Sequence, residues 1–197
     1  LSLHDALPIF HLNQPHSLLV KYIDSLNLEK NNRIFLPLCG KSLDIHWLLA
    51  QGYHLIGIDL SPIAIEELMA ELAIPFTERK LEKLTHYHHP QIDLFVGDFF
   101  ELTSSNIGKI DAIYDRAALV ALPEEMRTDY AQHLMQISNQ ATQLLISFEY
   151  DQSVMAGPPF SISPQQLKDY YSKQYQLQLL DSQTELLKGK VDAEEKI

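Results

Sequence analysis

The chain has 197 residues, 46% of them hydrophobic and 21% charged, with a formal net charge of −11. That length and apolar content suit one globular domain with a substantial core and exclude a disordered chain. The few basic residues are scattered, which argues against nucleic acid or an anionic membrane as partner, and no apolar run approaches the ~20 residues of a membrane span.

The single cysteine, Cys39, excludes an intrachain disulfide framework and a zinc site built on thiolates, and fits a reducing, cytoplasmic compartment. Leu1–Ile9 has neither a basic start nor a small-residue cleavage site of the secretory kind. It reads as a foreign or truncated leader, with one domain over 10–197. Lys196–Ile197 reads as the start of a strand, so the C-terminus is expected to be incomplete.

A helix is expected over Asn13–Leu26, with Pro15 in its first turn and Leu18, Leu19, Tyr22, Ile23 and Leu26 on one face. Arg33–Leu38 is a short buried strand ending in the turn Cys39-Gly40-Lys41. Ser42–Gln51 follows as a helix with Leu43, Trp47, Leu48 and Ala50 inward, stopped by Gly52. His54–Leu60 is a second strand. Ser61-Pro62 starts a helix to about Leu72, whose Glu66, Glu67 and Glu71 form a solvated face. A polar loop is expected through Pro90, then strands at Ile92–Val96 and Ile110–Tyr114. The helix Pro123–Ile137 carries Met126, Tyr130, Leu134 and Ile137 on one stripe. Leu144–Phe148 is a fifth strand, Ser163-Pro164 starts another helix, and Tyr175–Leu180 is a sixth strand. Strands alternating with helices predict one α/β domain whose mostly parallel sheet is covered on both faces.

In such a sheet the ligand lies beyond the carboxyl ends of the strands, where strand order reverses. The first strand's turn has one glycine, Gly40, where a dinucleotide fingerprint has three, and no GxxxxGK[ST] loop is present. A smaller cofactor without phosphates tolerates such a loop. Asp59 closes the second strand, where a carboxylate can accept from both ribose hydroxyls. Gly97-Asp98-Phe99-Phe100 closes the third, placing an acid and an aromatic where an adenine could hydrogen-bond and stack. Taken in order, these elements describe a nucleoside pocket; taken singly, each reads as an ordinary turn, cap or loop residue.

PLCGKSLD (Pro37–Asp44), GIDLS (Gly57–Ser61), GDFF (Gly97–Phe100), YDRAALVALP (Tyr114–Pro123), EYDQ (Glu149–Gln152) and MAGPPF (Met155–Phe160) closely resemble the bacterial branch of the thiopurine S-methyltransferase family. FHLNQPHSLL (Phe10–Leu19) is similar to that family's N-terminal segment. The resemblance implies a Rossmann-like class I methyltransferase fold, S-adenosyl-L-methionine as cofactor and a small thiol as substrate, in a cytoplasmic monomer. It further implies that Leu38, Gly40, Asp59, Asp98, Phe99 and Arg116 contact the cofactor. Arg116, also the candidate catalytic residue, would hold the carboxylate of the cofactor's amino-acid part or steady a thiolate. Phe10, Pro158 and Pro159 fall on the substrate side. The family's upstream tryptophan has no counterpart in Leu1–Ile9, and its second basic residue near the substrate is not matched.

Asp115 reads as orienting Arg116 or capping the next turn rather than as a base, since an aspartate is a weak base near pH 7. Cys39 reads as a buried filler. His86, His88 and His89 read as a solvated loop, so no metal is expected. The competing acceptors are selenium or tellurium oxyanions, a halide or a phenol. A nucleoside-binding module without catalysis is the reading from another class, and a Rossmann oxidoreductase fails on the missing glycines.

Overall fold

The computed structural model describes residues 14–187 and 191–197. In chain order the elements are α1 (Ser17–Tyr22), β1 (Arg33–Leu36), α2 (Leu43–Ala50), β2 (His54–Asp59), α3 (Pro62–Leu72), β3 (Thr77–Lys80), β4 (Thr85–His89) and β5 (Ile92–Val96). They continue with α4 (Ser104–Ile107), β6 (Ala112–Arg116), α5 (Glu124–Ile137), β7 (Thr142–Glu149), α6 (Pro164–Tyr171), β8 (Ser182–Leu187) and β9 (Val191–Lys196). The strands form one sheet in the order β3-β4-β5-β2-β1-β6-β7-β9-β8.

β1 pairs in parallel with β2 on one side and β6 on the other, through Arg33↔His54 and Ile34↔Ala112. β5 extends the parallel set beyond β2, and β7 beyond β6. Strand order therefore reverses between β1 and β6. Successive residues of a strand face opposite sides, which splits the core into two layers. Ile34, Leu36, Leu55, Leu94 and Tyr114 pack with Leu18 and Leu19 of α1, Ile45 and Leu48 of α2, and Ile65 and Leu68 of α3. On the other face Phe35, Ile56, Phe95 and Ile113 pack with Tyr130 and Leu134 of α5 and Tyr171 of α6. The expected α/β sheet covered on both faces is what forms.

Several expectations shift. The first helix is shorter, Ser17–Tyr22 followed by a 3-10 turn over Ile23–Leu26, because the His16 side chain caps it by accepting from Leu18 N–H. Pro15 therefore precedes the cap. In α2 the inward residues are Asp44, Ile45 and Leu48, while Ala50 is exposed. The polar stretch before Pro90 is an antiparallel hairpin, β3 and β4, added to the edge of β5. Its sequence hides it, because an edge strand needs charged, exposed residues and Thr77–Lys80 is exposed throughout. Tyr175–Leu180 is not a strand; the last two strands are β8 and β9, with β9 antiparallel between β7 and β8. Lys196 ends β9 rather than starting a strand. Among the described residues there are thus nine strands, not six. The expectations about Leu1–Ile9, Phe10 and Asn13 lie outside the described residues.

Asp115 shows what the alternation does to a role. Tyr114 and Asp115 are neighbours on β6, so their side chains face opposite layers. Asp115 is fully buried beside α5, where it accepts from Tyr130 Oη at 2.7 Å and from Leu119 N–H at 3.2 Å. It caps the turn after β6 and does not orient Arg116. Burial outweighs these hydrogen bonds and raises its pKa from 3.8 to about 6. The folded state therefore holds this proton more tightly than the unfolded chain, where an aspartate titrates near ~3.9. The resulting stabilisation is full below pH ~4 and is lost as pH rises through about 6, a change on the order of 3 kcal/mol. Urea denaturation of wild type and Asp115→Asn across pH 4–7 should show the wild type losing about that much relative to the variant. A stability difference that stays constant with pH would contradict the assignment.

Candidate active site

The loops after β1, β2, β5 and β6 leave the carboxyl ends of the parallel strands on both sides of the strand-order switch, where sheets of this kind form a ligand crevice. Two non-glycine residues with left-handed backbone flank it. Leu38 follows β1 with φ 47°, and Ala117 follows β6 with φ 67°. Such conformations are costly for side-chain-bearing residues and concentrate at functional sites. Gly40, at φ 51°, adopts the same region without that cost.

The Asp59 carboxylate organises one half of the crevice. Its Oδ2 accepts from Gly40 N–H at 2.8 Å and its Oδ1 from Ser61 N–H at 2.8 Å, so one side chain fixes the β1 loop against the start of α3. Gly97 N–H donates to the Asp59 carbonyl at 3.0 Å, which brings the Asp98 loop alongside. Leu60 and Ile63, next to Asp59, are 66% and 63% exposed. They offer an apolar surface beside an acid. Cys39 packs behind this loop: a Cβ on Gly57 would lie 2.8 Å from its Sγ. Burial pushes the Cys39 thiol up, which keeps it protonated and unreactive, as a filler.

Asp98 caps the turn Phe99–Glu101 by accepting from Phe100 N–H at 2.9 Å. That turn rotates Phe99 inward. Its ring is buried, stacked with Phe35 at a centroid distance of 6.4 Å and tilted against Tyr130 at 5.0 Å. The Phe99 ring therefore has its place in the core, while Phe100, the other aromatic of GDFF, is only partly buried.

Arg116 organises the other half. Its Nε lies 2.7 Å from Asp44 Oδ2, and its Nη2 donates to Ser42 Oγ at 3.1 Å. Asp44 is 1% exposed, and it also accepts from Tyr114 Oη at 3.0 Å and from His16 N–H at 2.7 Å. Sequence reasoning left Asp44 and Ser42 without a role, since an acid in the first turn of a helix reads as an ordinary dipole partner. The available signal was that PLCGKSLD ends on Asp44, within a motif that the helix alone does not require.

The loop after β7 overhangs this half. Phe160 N–H donates to the Val120 carbonyl at 2.6 Å and Tyr150 Oη to the Pro159 carbonyl at 2.5 Å, which docks Pro158 and Pro159 on the turn that follows Arg116. Leu38, Gly40, Asp59, Asp98 and Arg116 thus lie at or just beyond the carboxyl ends of the parallel strands, and Pro158 and Pro159 dock on the turn after Arg116. Phe10 lies outside the described residues.

A family model described as thiopurine S-methyltransferase matches residues 4–196. The chain belongs to that family. It is 51% identical to a thiopurine S-methyltransferase of Acinetobacter baylyi over 88% of this chain and 82% of that one. It is 44% identical to one of Xanthobacter autotrophicus over 88% and 81%. In fold it is similar to a magnesium protoporphyrin IX methyltransferase of Synechocystis, solved with bound S-adenosylmethionine, at a TM-score of 0.59, covering 91% of this chain and 76% of that one at 14% identity. This methyltransferase uses S-adenosyl-L-methionine. The donor set suits it: an acid for hydroxyls, exposed apolar side chains for a flat base and a cation for a carboxylate, with no cradle for a pyrophosphate.

Removing the Asp44 carboxylate would leave the Arg116 guanidinium buried without its counter-ion and strip acceptors from Tyr114 and His16. Asp44→Ala should lose about 3–5 kcal/mol of stability in urea denaturation. A loss below about 1 kcal/mol would put the pair in the class of solvated surface ion pairs.

Proposed function

We propose that the enzyme methylates the sulfur of small aromatic or heterocyclic thiols such as thiopurines. The observation that carries this reading is the state of the acids around the crevice. Asp44 is committed to Arg116, Tyr114 and His16, Asp59 to Gly40 and Ser61, and Asp98 to Phe100. Asp115 faces the opposite layer. An acceptor that keeps its proton at neutral pH would need a stronger base than such acids provide. A heteroaryl thiol ionises by itself, and the similarity to thiopurine S-methyltransferases supports the same class.

In this reading Asp59 accepts from the cofactor's ribose hydroxyls, and the Asp98–Phe99 turn meets the edge of its adenine. Leu60 covers one face of the base. Arg116, aimed by Asp44 and Ser42, holds the cofactor's carboxylate. Leu38 and Gly40 let the main chain approach closely. The bound cofactor supplies a methyl group on a positively charged sulfonium. That methyl would pass to an acceptor already ionised to its thiolate, so no residue of the chain would need to take a proton. The protein contributes alignment and exclusion of water, with Pro158 and Pro159 walling the acceptor side.

The −11 charge supports a protein without nucleic acid partners, and the single cysteine supports the cytoplasm. Among the described residues no helix is long and apolar enough to cross a membrane. The enzyme acts as a monomer in this reading.

The test is a radiolabelled methyl-transfer assay with a thiopurine, a thiophenol, a phenol, selenite and iodide. The expected result is turnover of the two thiols, faster where more of the thiol is ionised. Preferred turnover of selenite, iodide or the phenol would contradict the reading, as would S-adenosylhomocysteine binding without turnover of any acceptor.

A further inference from the structure

The other end of the sheet carries a cluster that methyl transfer does not use. His54 opens β2, Asp93 is the second residue of β5, and His86 and His88 lie on β4. The β4–β5 register sets His88 opposite Asp93 and His86 opposite Phe95, while the β2–β5 register sets Ile56 beside Asp93. With a period of two, all four side chains share one face of the sheet. His86 Nε2 and His88 Nδ1 each lie 2.8 Å from Asp93 Oδ1. His54 Nε2 lies 2.9 Å from the other oxygen, Oδ2, and Arg33 Nη2 lies 3.8 Å from it.

We propose that His86 Nε2, His88 Nδ1 and Asp93 Oδ1 form a binding site for a divalent transition-metal ion of the zinc type. One ligand atom from each of these three residues lies within 4.8 Å of the others, a spread that a single ion can span. Two imidazoles and a carboxylate are a donor set suited to zinc, cobalt and nickel, and three protein ligands leave a position for water. The ligands are held in place. The His86 ring stacks on Phe95 at 4.4 Å and 7°, which fixes where its Nε2 points. His54 and Arg33 engage Oδ2, so they orient the carboxylate and leave Oδ1 to the two β4 histidines. Such outer hydrogen bonds to a ligating carboxylate tune metal affinity.

Asp93 is buried, and its carboxylate meets three imidazoles within 2.9 Å. The His88 side chain is 53% exposed, which gives an ion a path from solvent. His89, next in sequence, belongs elsewhere: its Nδ1 accepts from Gln91 N–H. The site sits at the amino end of β2, about 17 Å of strand from Asp59. Its effect is to pin the edge hairpin β3–β4 to the parallel core.

Protein stripped with EDTA and dialysed should bind zinc at one site by calorimetry, and cobalt should give visible absorption bands of a nitrogen–oxygen site. Zinc should raise the melting temperature. His88→Ala, at an exposed ligand position, should weaken zinc binding at least about tenfold and abolish the thermal shift. His89→Ala should leave both unchanged, and neither variant should change the affinity for S-adenosylhomocysteine. Absence of zinc and cobalt binding at millimolar metal, or equal binding by wild type and His88→Ala, would overturn the proposal and leave a hydrogen-bonded cluster only.

Discussion

A single carboxylate, that of Asp44, holds the active-site half of this fold together. It enters the protein at the start of α2, is almost wholly removed from water, and accepts from three directions: the Arg116 guanidinium at the end of β6, the Tyr114 hydroxyl on the same strand, and the His16 main chain just before α1. A buried ion pair contributes little net stability by itself, because both ions lose their hydration. Its consequence is geometric. With its Nε held by Asp44 and Nη2 by Ser42, the guanidinium of a long side chain is limited to one direction, beside the point where strand order reverses. Preorganisation of this kind matters most in a reaction where alignment, rather than proton transfer, lowers the barrier.

The same polar web reaches the far edge of the sheet. The His16 ring accepts from Leu18 N–H through Nδ1, so the proton sits on Nε2, which faces Glu195 Oε1 at 2.9 Å. Gln183 donates to the second oxygen of Glu195 at 2.7 Å. Glu195 is on β9 and Gln183 on β8. A chain of buried contacts therefore runs from the last strands through His16 and Asp44 to Arg116. His16 and α1 are anchored by hydrogen bonds as well as by the packing of Leu18 and Leu19, and β8 and β9 support the same anchor.

Much of this was legible in the sequence. The apolar runs of β1, β2, β5 and β7, separated by capped helices, mark a parallel sheet covered on both faces, and Gly40, Asp59 and Asp98 announce themselves at strand ends. The strands that escaped notice are the polar ones. β8 and β9 carry Gln183, Glu194 and Glu195, residues that depress strand propensity, and the buried Glu195 has as partners Gln183 and His16, the latter 179 positions away. In GDFF two aromatics stand at a strand end, and only the Asp98 cap decides that the Phe99 ring turns into the core. Likewise HYHH reads as a polar loop until β4 sets His86 and His88 against Asp93. In each case the missing information was a long-range contact that gives a polar residue a buried place.

In the proposed mode of binding, Asp44 aims Arg116 at the carboxylate of the cofactor's amino-acid part. Calorimetry of wild type and Asp44→Asn with two ligands tests this most directly: S-adenosylhomocysteine, which has that carboxylate, and 5′-methylthioadenosine, which keeps the nucleoside and lacks it. The substitution keeps the shape of the side chain and removes its charge. It should weaken S-adenosylhomocysteine at least about tenfold, the worth of one charge-assisted hydrogen bond, while 5′-methylthioadenosine hardly changes. Equal weakening of both ligands, or of neither, would contradict the account.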